Sequence, residues 1–233
     1  GSRWVWSPGA GTCERADTGE RALPWEVESP DKSWVAFRRD GNIWVRSRDG
    51  EQEFALTDDA EPHFEYGGMA DATGGRALMR VLGLPPLFAV QWSPDSTRIL
   101  AQRIDQRGLP ELVLVESSPP DGGRPVEHRT RYTMPGEEAQ AMLTWNVLHV
   151  ADRTVVRQAE PTVVMHGTAV MYAWWTGISG DAVHFLNHSR DARTLELRRL
   201  DPATGAVTTL ISESGETRVD PTPQLGEPTM TRV

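Results

Sequence analysis

Residues 90–116 read VQWSPDSTRILAQRIDQRGLPELVLVE, and the fold class turns on this stretch. It opens with a tight turn at Ser93-Pro94-Asp95-Ser96. Proline pre-sets φ at the first central position of such a turn, and aspartate bonds the backbone just beyond it. An apolar segment follows, Ile99-Leu100-Ala101, then a polar break from 105 to 108, then Leu112-Val113-Leu114-Val115. Strand, loop, strand predicts a β-hairpin with a tryptophan, Trp92, just ahead of its entry turn.

The same entry sign recurs on both sides. Trp6-Ser7-Pro8-Gly9 is one copy, and Ser29-Pro30-Asp31 is a second. The second leads into Trp34-Val35-Ala36-Phe37, a turn at Asp40-Gly41-Asn42, and Ile43-Trp44-Val45. Trp174-Trp175-Thr176-Gly177 is a degenerate fourth copy, followed by strand patterns near 182–186, 195–200 and 207–210. Residues 143–150 alternate as a further strand. A repeated turn-and-strand unit in which each sheet covers its neighbour predicts an all-β protein, a partial β-propeller of about four blades. On this reading 1–28 is an irregular or truncated first blade and 29–233 carries the remaining blades. The unit starts fall at Ser7, Ser29, Ser93 and Thr176, so the last two intervals have room for extra loops.

Twenty-one glycines, 17 prolines and 9 tryptophans in 233 residues suit a turn-rich sheet protein with large rings packed between blades. A net charge of −9 argues against non-specific binding to nucleic acid, which needs a basic surface. No apolar run approaches the ~20 residues of a membrane-spanning helix. The one cysteine, Cys13, cannot form a disulfide within the chain. The cytoplasm is the expected compartment. Gly1-Ser2 reads as an expression remnant, so a removed leader would make it periplasmic or secreted instead.

Taken in order, Ser29-Pro30-Asp31, Gly41-Asn42-Ile43-Trp44-Val45, Trp92-Ser93-Pro94-Asp95, Leu109-Pro110-Glu111-Leu112 and Tyr132-Thr133-Met134-Pro135-Gly136 resemble one known region. It is the N-terminal propeller region of the dipeptidyl peptidase IV group of prolyl-oligopeptidase-type serine peptidases. Leu200-Asp201-Pro202-Ala203-Thr204-Gly205 and the stretch 213–220 are similar to it as well, bacterial versions especially. The resemblance implies a peptide substrate and an α/β-hydrolase domain, on a missing segment or a second chain that completes the propeller. It also implies an aromatic motif before the Trp-Ser-Pro turn that ends in adjacent glutamates, which hold the substrate's free ammonium. A paired carboxylate is the chemistry such a cation needs. Laid on that motif, Tyr66 matches the tyrosine, but Gly67 and Gly68 stand where the glutamates would be. Glu61 and Glu65 lie close in sequence and are the candidate substitutes. Solvated loop carboxylates are the more ordinary reading of both.

Other chemistry is tested on its own residues. A serine hydrolase needs G-x-S-x-G on a strand-to-helix elbow. The nearest string, Gly177-Ile178-Ser179-Gly180, brings its second glycine one residue early and reads as a hairpin turn. No catalytic residue is therefore assigned. His184 and His188, four apart on a strand, would lie ~13 Å apart and do not form a zinc site. No phosphate-cradling glycine motif is present, so no cofactor is expected. Glu137-Glu138 is read as surface charge in the wrong loop.

Three functions follow as expectations. The first is a non-catalytic propeller that gates substrate access in a serine peptidase. The second is a stand-alone propeller for binding or assembly. The third is a propeller repurposed in a biosynthetic enzyme, with Glu65, Tyr66, Arg131 and Tyr132 as its acid–base and substrate-binding candidates. Open sheet edges in a partial ring invite pairing, so an oligomer is expected.

Overall fold

In the computed structural model the description covers residues 26–71, 79, 83, 87–164 and 169–219, with the backbone of two further strands, β1 (Trp4–Ser7) and β2 (Thr12–Arg15). The polar stretch 16–20, most of 72–86 and the tail from 220 lie outside the described residues.

The first full sheet is β3 (Glu26–Glu28), β4 (Trp34–Arg39), β5 (Asn42–Ser47) and β6 (Glu53–Ala55), each antiparallel to the next. The second holds β7 (Val90–Trp92), β8 (Arg98–Asp105), β11 (Met142–His149) and β12 (Val155–Arg157), with β13 (Thr162–Val163) also paired to β11. The third is β14 (Ala173–Thr176), β15 (Ala182–His188), β16 (Thr194–Leu200) and β17 (Val207–Ser214). These are the blades of a partial propeller, and β1 pairs with β2 in a separate two-stranded sheet.

The predicted hairpin across 90–116 is not formed. β8 pairs with β7 on one edge and, over eight residue pairs, with β11 on the other. β9 (Glu111–Glu116) instead pairs with β10 (Val126–Arg131) in a separate ribbon inserted between β8 and β11. Burial decides this. Ile99, Leu100, Ala101 and Gln102 are fully buried, so β8 must lie inside a blade that is covered on both faces. Val113, Leu114 and Val115 of β9 are all exposed and match no such place. Sequence adjacency gave way to the long register with β11.

Period two along β8 then sets the two cores. Ile99 and Ala101 face the first sheet and pack with Ala36, Ile43 and Val45. Leu100 and Ile104 face the third sheet and pack with Trp145, Val183 and Phe185. The tryptophans ahead of the turns clamp neighbouring blades. Trp92 donates its indole N–H to the Val27 carbonyl at 2.9 Å, and Trp175 to that of Gln91 at 3.4 Å. Val27 and Gln91 are the middle residues of the inner strands β3 and β7, so the bond repeats at one register.

Among the described residues one turn is used four times. At Ser29, Ser47, Ser93 and Ser189 the hydroxyl donates to an aspartate two residues on, at 2.5–2.6 Å. That carboxylate accepts an N–H two residues later, while the hydroxyl accepts the N–H five residues after itself. The fourth residue of each turn takes positive φ: Lys32 at 62°, Gly50 at 76°, Ser96 at 61° and Ala192 at 56°.

Candidate functional site

After β6 the chain crosses from the first sheet to the second over residues 57–71, and the candidate site lies on this crossing. Thr57 and Asn42 anchor its start. The Thr57 hydroxyl accepts from Ile43 N and donates to Asn42 Oδ1, which also accepts from Ala60 N. Phe64 and Glu61 then form a tight bridge, with His63 between them at φ 63°, and the His63 carbonyl takes the Gln106 N–H.

Arg103 holds the middle of the crossing. It lies on the odd-numbered face of β8 and is 5 % exposed. Its Nη1 is 3.0 Å from both Asp59 Oδ2 and the Tyr66 hydroxyl, and Nη2 donates to the Asp59 carbonyl. Its guanidinium lies 3.5 Å from the Phe64 ring centroid and 4.4 Å from that of Tyr66. Tyr66 is fully buried and donates to Asp59 at 2.8 Å. Burial first, and then the bond to Asp59, pushes the Tyr66 phenol above its ordinary range. Burial alone would raise the Asp59 carboxyl, but the Tyr66 hydrogen bond and the Arg103 charge outweigh it and hold Asp59 low. Arg157 of β12 adds a second cation at 3.2 Å.

The other sequence candidates divide by location. Glu61 is exposed and bonds Arg107 at 2.8 Å, and Arg107 also grips Asp105 through two nitrogens. Glu65, about a third exposed, lies 3.5 Å from Arg38 and lines a cavity of about 120 Å³ with Pro62, His63, Gly68, Met69, Ile104 and Gln106. Arg131 and Tyr132 stand at the base of the ribbon instead. Arg131 Nη1 donates to the Leu109 carbonyl at 2.6 Å, and Tyr132 N to that of Pro110 at 3.0 Å. The structure thus gathers Glu61, Glu65 and Tyr66 on one crossing. Arg131 and Tyr132 connect to it by way of residues 109 and 110, where Leu109 N meets the Gln106 carbonyl.

Of the two glycines, Gly67 has little room for a side chain, whereas Gly68 meets only the flexible ends of Arg38 and Glu65. Gly67 has φ +61°, and a Cβ there would lie 2.9 Å from the Phe88 ring. A Cβ on Gly68 would lie 2.9 Å from Arg38 Nη1. Sequence reasoning missed two further residues. Gln102, fully buried on the even face of β8, donates to the Gly68 carbonyl at 2.6 Å and accepts from Val170 N at 3.0 Å. Gln106 accepts from Asp71 N at 2.7 Å. A glutamine inside the apolar run Leu100-Ala101-Gln102 was the available signal, because a buried amide needs partners.

Gly177-Ile178-Ser179-Gly180 is the turn between β14 and β15, with both glycines at positive φ. His184 stacks on Trp174, and His188 bonds the Val219 carbonyl. Among the described residues no group of three or more His, Cys, Asp or Glu gathers to hold a metal. No helix among them is long and apolar enough to cross a membrane.

Comparisons place this fold. The solved structure of Porphyromonas gingivalis dipeptidyl peptidase 4 is similar with a TM-score of 0.60 and 16% identity, over 93% of this chain and 29% of that one. A putative dipeptidyl aminopeptidase IV from Bacteroides ovatus gives a TM-score of 0.58 and 17% identity, over 95% of this chain and 28% of that one. At such identity the likeness concerns the fold. The chain spans less than a third of the length of either. No curated protein matches. The family model described as the dipeptidyl peptidase IV (DPP IV) N-terminal region matches residues 3–226. With nearly its whole length covered, the chain belongs to the dipeptidyl peptidase IV N-terminal region family.

Proposed function

We propose that this chain is the substrate-gating propeller part of a dipeptidyl-peptidase-IV-like serine peptidase and does no catalysis by itself. The observation that carries this reading is the family match over residues 3–226, on a chain less than a third as long as the peptidases it resembles. The nucleophile would belong to an α/β-hydrolase domain outside these residues. A rigid blade array would then admit short peptides and exclude folded proteins by size. Glu65, on the cavity wall, is the proposed peptide contact. Tyr66 and Arg103 would hold the crossing in place from beneath.

The test uses a chromogenic dipeptide with proline in second position. The purified chain should not hydrolyse it, whereas the native complex or parent protein should. Glu65→Gln in that parent should raise KM with kcat little changed, as loss of uniform binding does. Hydrolysis by this chain alone would refute the reading, as would an inactive native complex.

One observation favours a second reading, a binding or assembly propeller with no peptidase partner. Gly67, at positive φ and against the Phe88 ring, leaves little space for the first of a glutamate pair, and Arg38 already sits beside Glu65. That reading predicts a native complex without peptidase activity.

A further inference from the structure

Among the described residues six that are not glycine take positive φ. Five of them, Lys32, Asp40, Ser96, Arg153 and Ala192, lie in turns between consecutive strands of one sheet. His63, at 63°, lies on the crossing between two sheets instead. Its turn runs Glu61-Pro62-His63-Phe64. Phe64 N closes it on the Glu61 carbonyl at 2.9 Å, and Glu61 N on that of Phe64 at 3.3 Å. Where φ is positive after the proline of a turn, glycine or asparagine is the ordinary residue, because a larger side chain is strained there. A histidine at that position keeps its imidazole at the expense of backbone strain. Strain of this kind directs attention to what the side chain meets.

His63 meets the cavity of the crossing. His63 and Glu65, both part-buried, stand at its rim. Ile104, Met69 and Gln106, each at most 7 % exposed, form its floor. The His63 main chain is pinned, because its carbonyl accepts the Gln106 N–H at 2.9 Å. Apart from Gln106 the floor is apolar. The volume of about 120 Å³ is below the ~150 Å³ of an apolar cavity that holds benzene. An aliphatic side chain fits such a space, and a benzyl or indolyl group attached to a main chain does not. At the rim, a carboxylate and an imidazole are groups that bond the polar main chain of a peptide.

We propose that this cavity takes the first residue of a peptide, with an aliphatic side chain against Ile104 and Met69. The His63 imidazole is then a specificity-determining contact to the peptide main chain at the mouth. This rests on the peptidase reading and adds to it the size class of the first residue. Because His63 is braced through both its turn and its carbonyl, the mouth does not widen to admit a ring.

The test uses the parent protein and chromogenic dipeptides with proline second and alanine, valine, leucine, phenylalanine or tryptophan first. The kcat/KM values for valine and leucine should exceed those for phenylalanine and tryptophan by about tenfold or more, the discrimination a shaped apolar pocket gives. His63→Gly keeps the φ without strain and removes the imidazole. It should raise KM about threefold to tenfold, as loss of one hydrogen bond does, and lower the valine-to-phenylalanine ratio by a similar factor. His63→Asn tolerates the same φ and keeps a bonding group, so it should recover most of the KM. Lys32→Gly relieves a matching strain, φ 62°, in a hairpin turn that does not line the cavity, and should change neither value. Circular dichroism checks the fold of each variant, and the series on the unmodified protein reads the size limit without them. Equal kcat/KM for valine and phenylalanine would overturn the proposal, as would an unchanged KM in a folded His63→Gly. Either result in an active parent leaves the peptidase reading standing, whereas a parent inactive on every dipeptide overturns both.

Discussion

The carboxyl group of Asp31 is lowered to about 2, chiefly by the hydrogen bond from Ser29 and then by those from Ser33. Asp95 and Asp191, in the matching turns, are lowered too. For Asp95 burial opposes the shift but the Ser93 and Thr97 bonds prevail, and for Asp191 the Ser189 bond leads. A carboxylate whose folded value is depressed contributes stability that is present above its unfolded value of about 4. That contribution disappears as pH falls through the folded value. Urea midpoints should therefore drop between about pH 4 and pH 2, and Asp31→Asn should flatten the drop. An unchanged pH dependence in Asp31→Asn would count against the turn as the source. Gln102 gives a second test at this scale. Gln102→Leu strips partners from the buried Gly68 carbonyl and Val170 N–H. Orphaning two such groups should cost about 2–4 kcal/mol in denaturant unfolding. The aspartate's turn role was legible at Ser29 and Ser93 but not at the other two turns, and the role of Gln102 was not legible at all. Ser47 and Ser189 lack the proline that marks Ser29 and Ser93, and Gln102 finds its partners only once the crossing and the third sheet are folded around it.

Among the elements, the central strands of the sheets carry most of the sequence signal. Trp34-Val35-Ala36-Phe37, Ile43-Trp44-Val45 and the strand at 143–150 were readable because alternation and flanking turns agree there. The pairing of β8 was not readable, because a 36-residue ribbon and its connections separate it from β11. Local periodicity cannot tell a neighbour in sequence from a neighbour in the sheet. The Trp92 clamp tests how blades are joined. Trp92→Phe keeps a ring but removes the donor to Val27, and should cost about 1 kcal/mol. Trp92→Ala also empties the space and should cost about 3–5 kcal/mol. Equal effects of the two would show that the indole N–H contributes nothing. Among the described strands, β9 and β10 of the ribbon pair only with each other. Replacing residues 110–132 with a short flexible turn should leave the melting temperature within about 4 °C, the shift expected of about 1 kcal/mol in a chain this size. Collapse of the fold would mean the ribbon supports the blades.

For the whole molecule, the all-β class and the partial ring were legible because the Trp-before-turn unit recurs at Trp6, Trp92 and Trp175. The candidate site was only partly legible. Glu61, Glu65 and Tyr66 share one crossing. The pairing of Tyr66 with Arg103 and Asp59, and the lack of room at Gly67, come from contacts between distant segments. The account stands on blades docked in series by indole-to-carbonyl bonds at one register, and hydrogen exchange of the tryptophan indoles reads those bonds directly. With ¹⁵N-labelled protein, and with Trp92→Phe and Trp175→Phe assigning the two signals, the account predicts slow exchange at both. The Trp92 indole should open together with the β3 and β7 amides. Exchange at Trp92 as fast as at a solvent-exposed indole, while β7 stays protected, would contradict it.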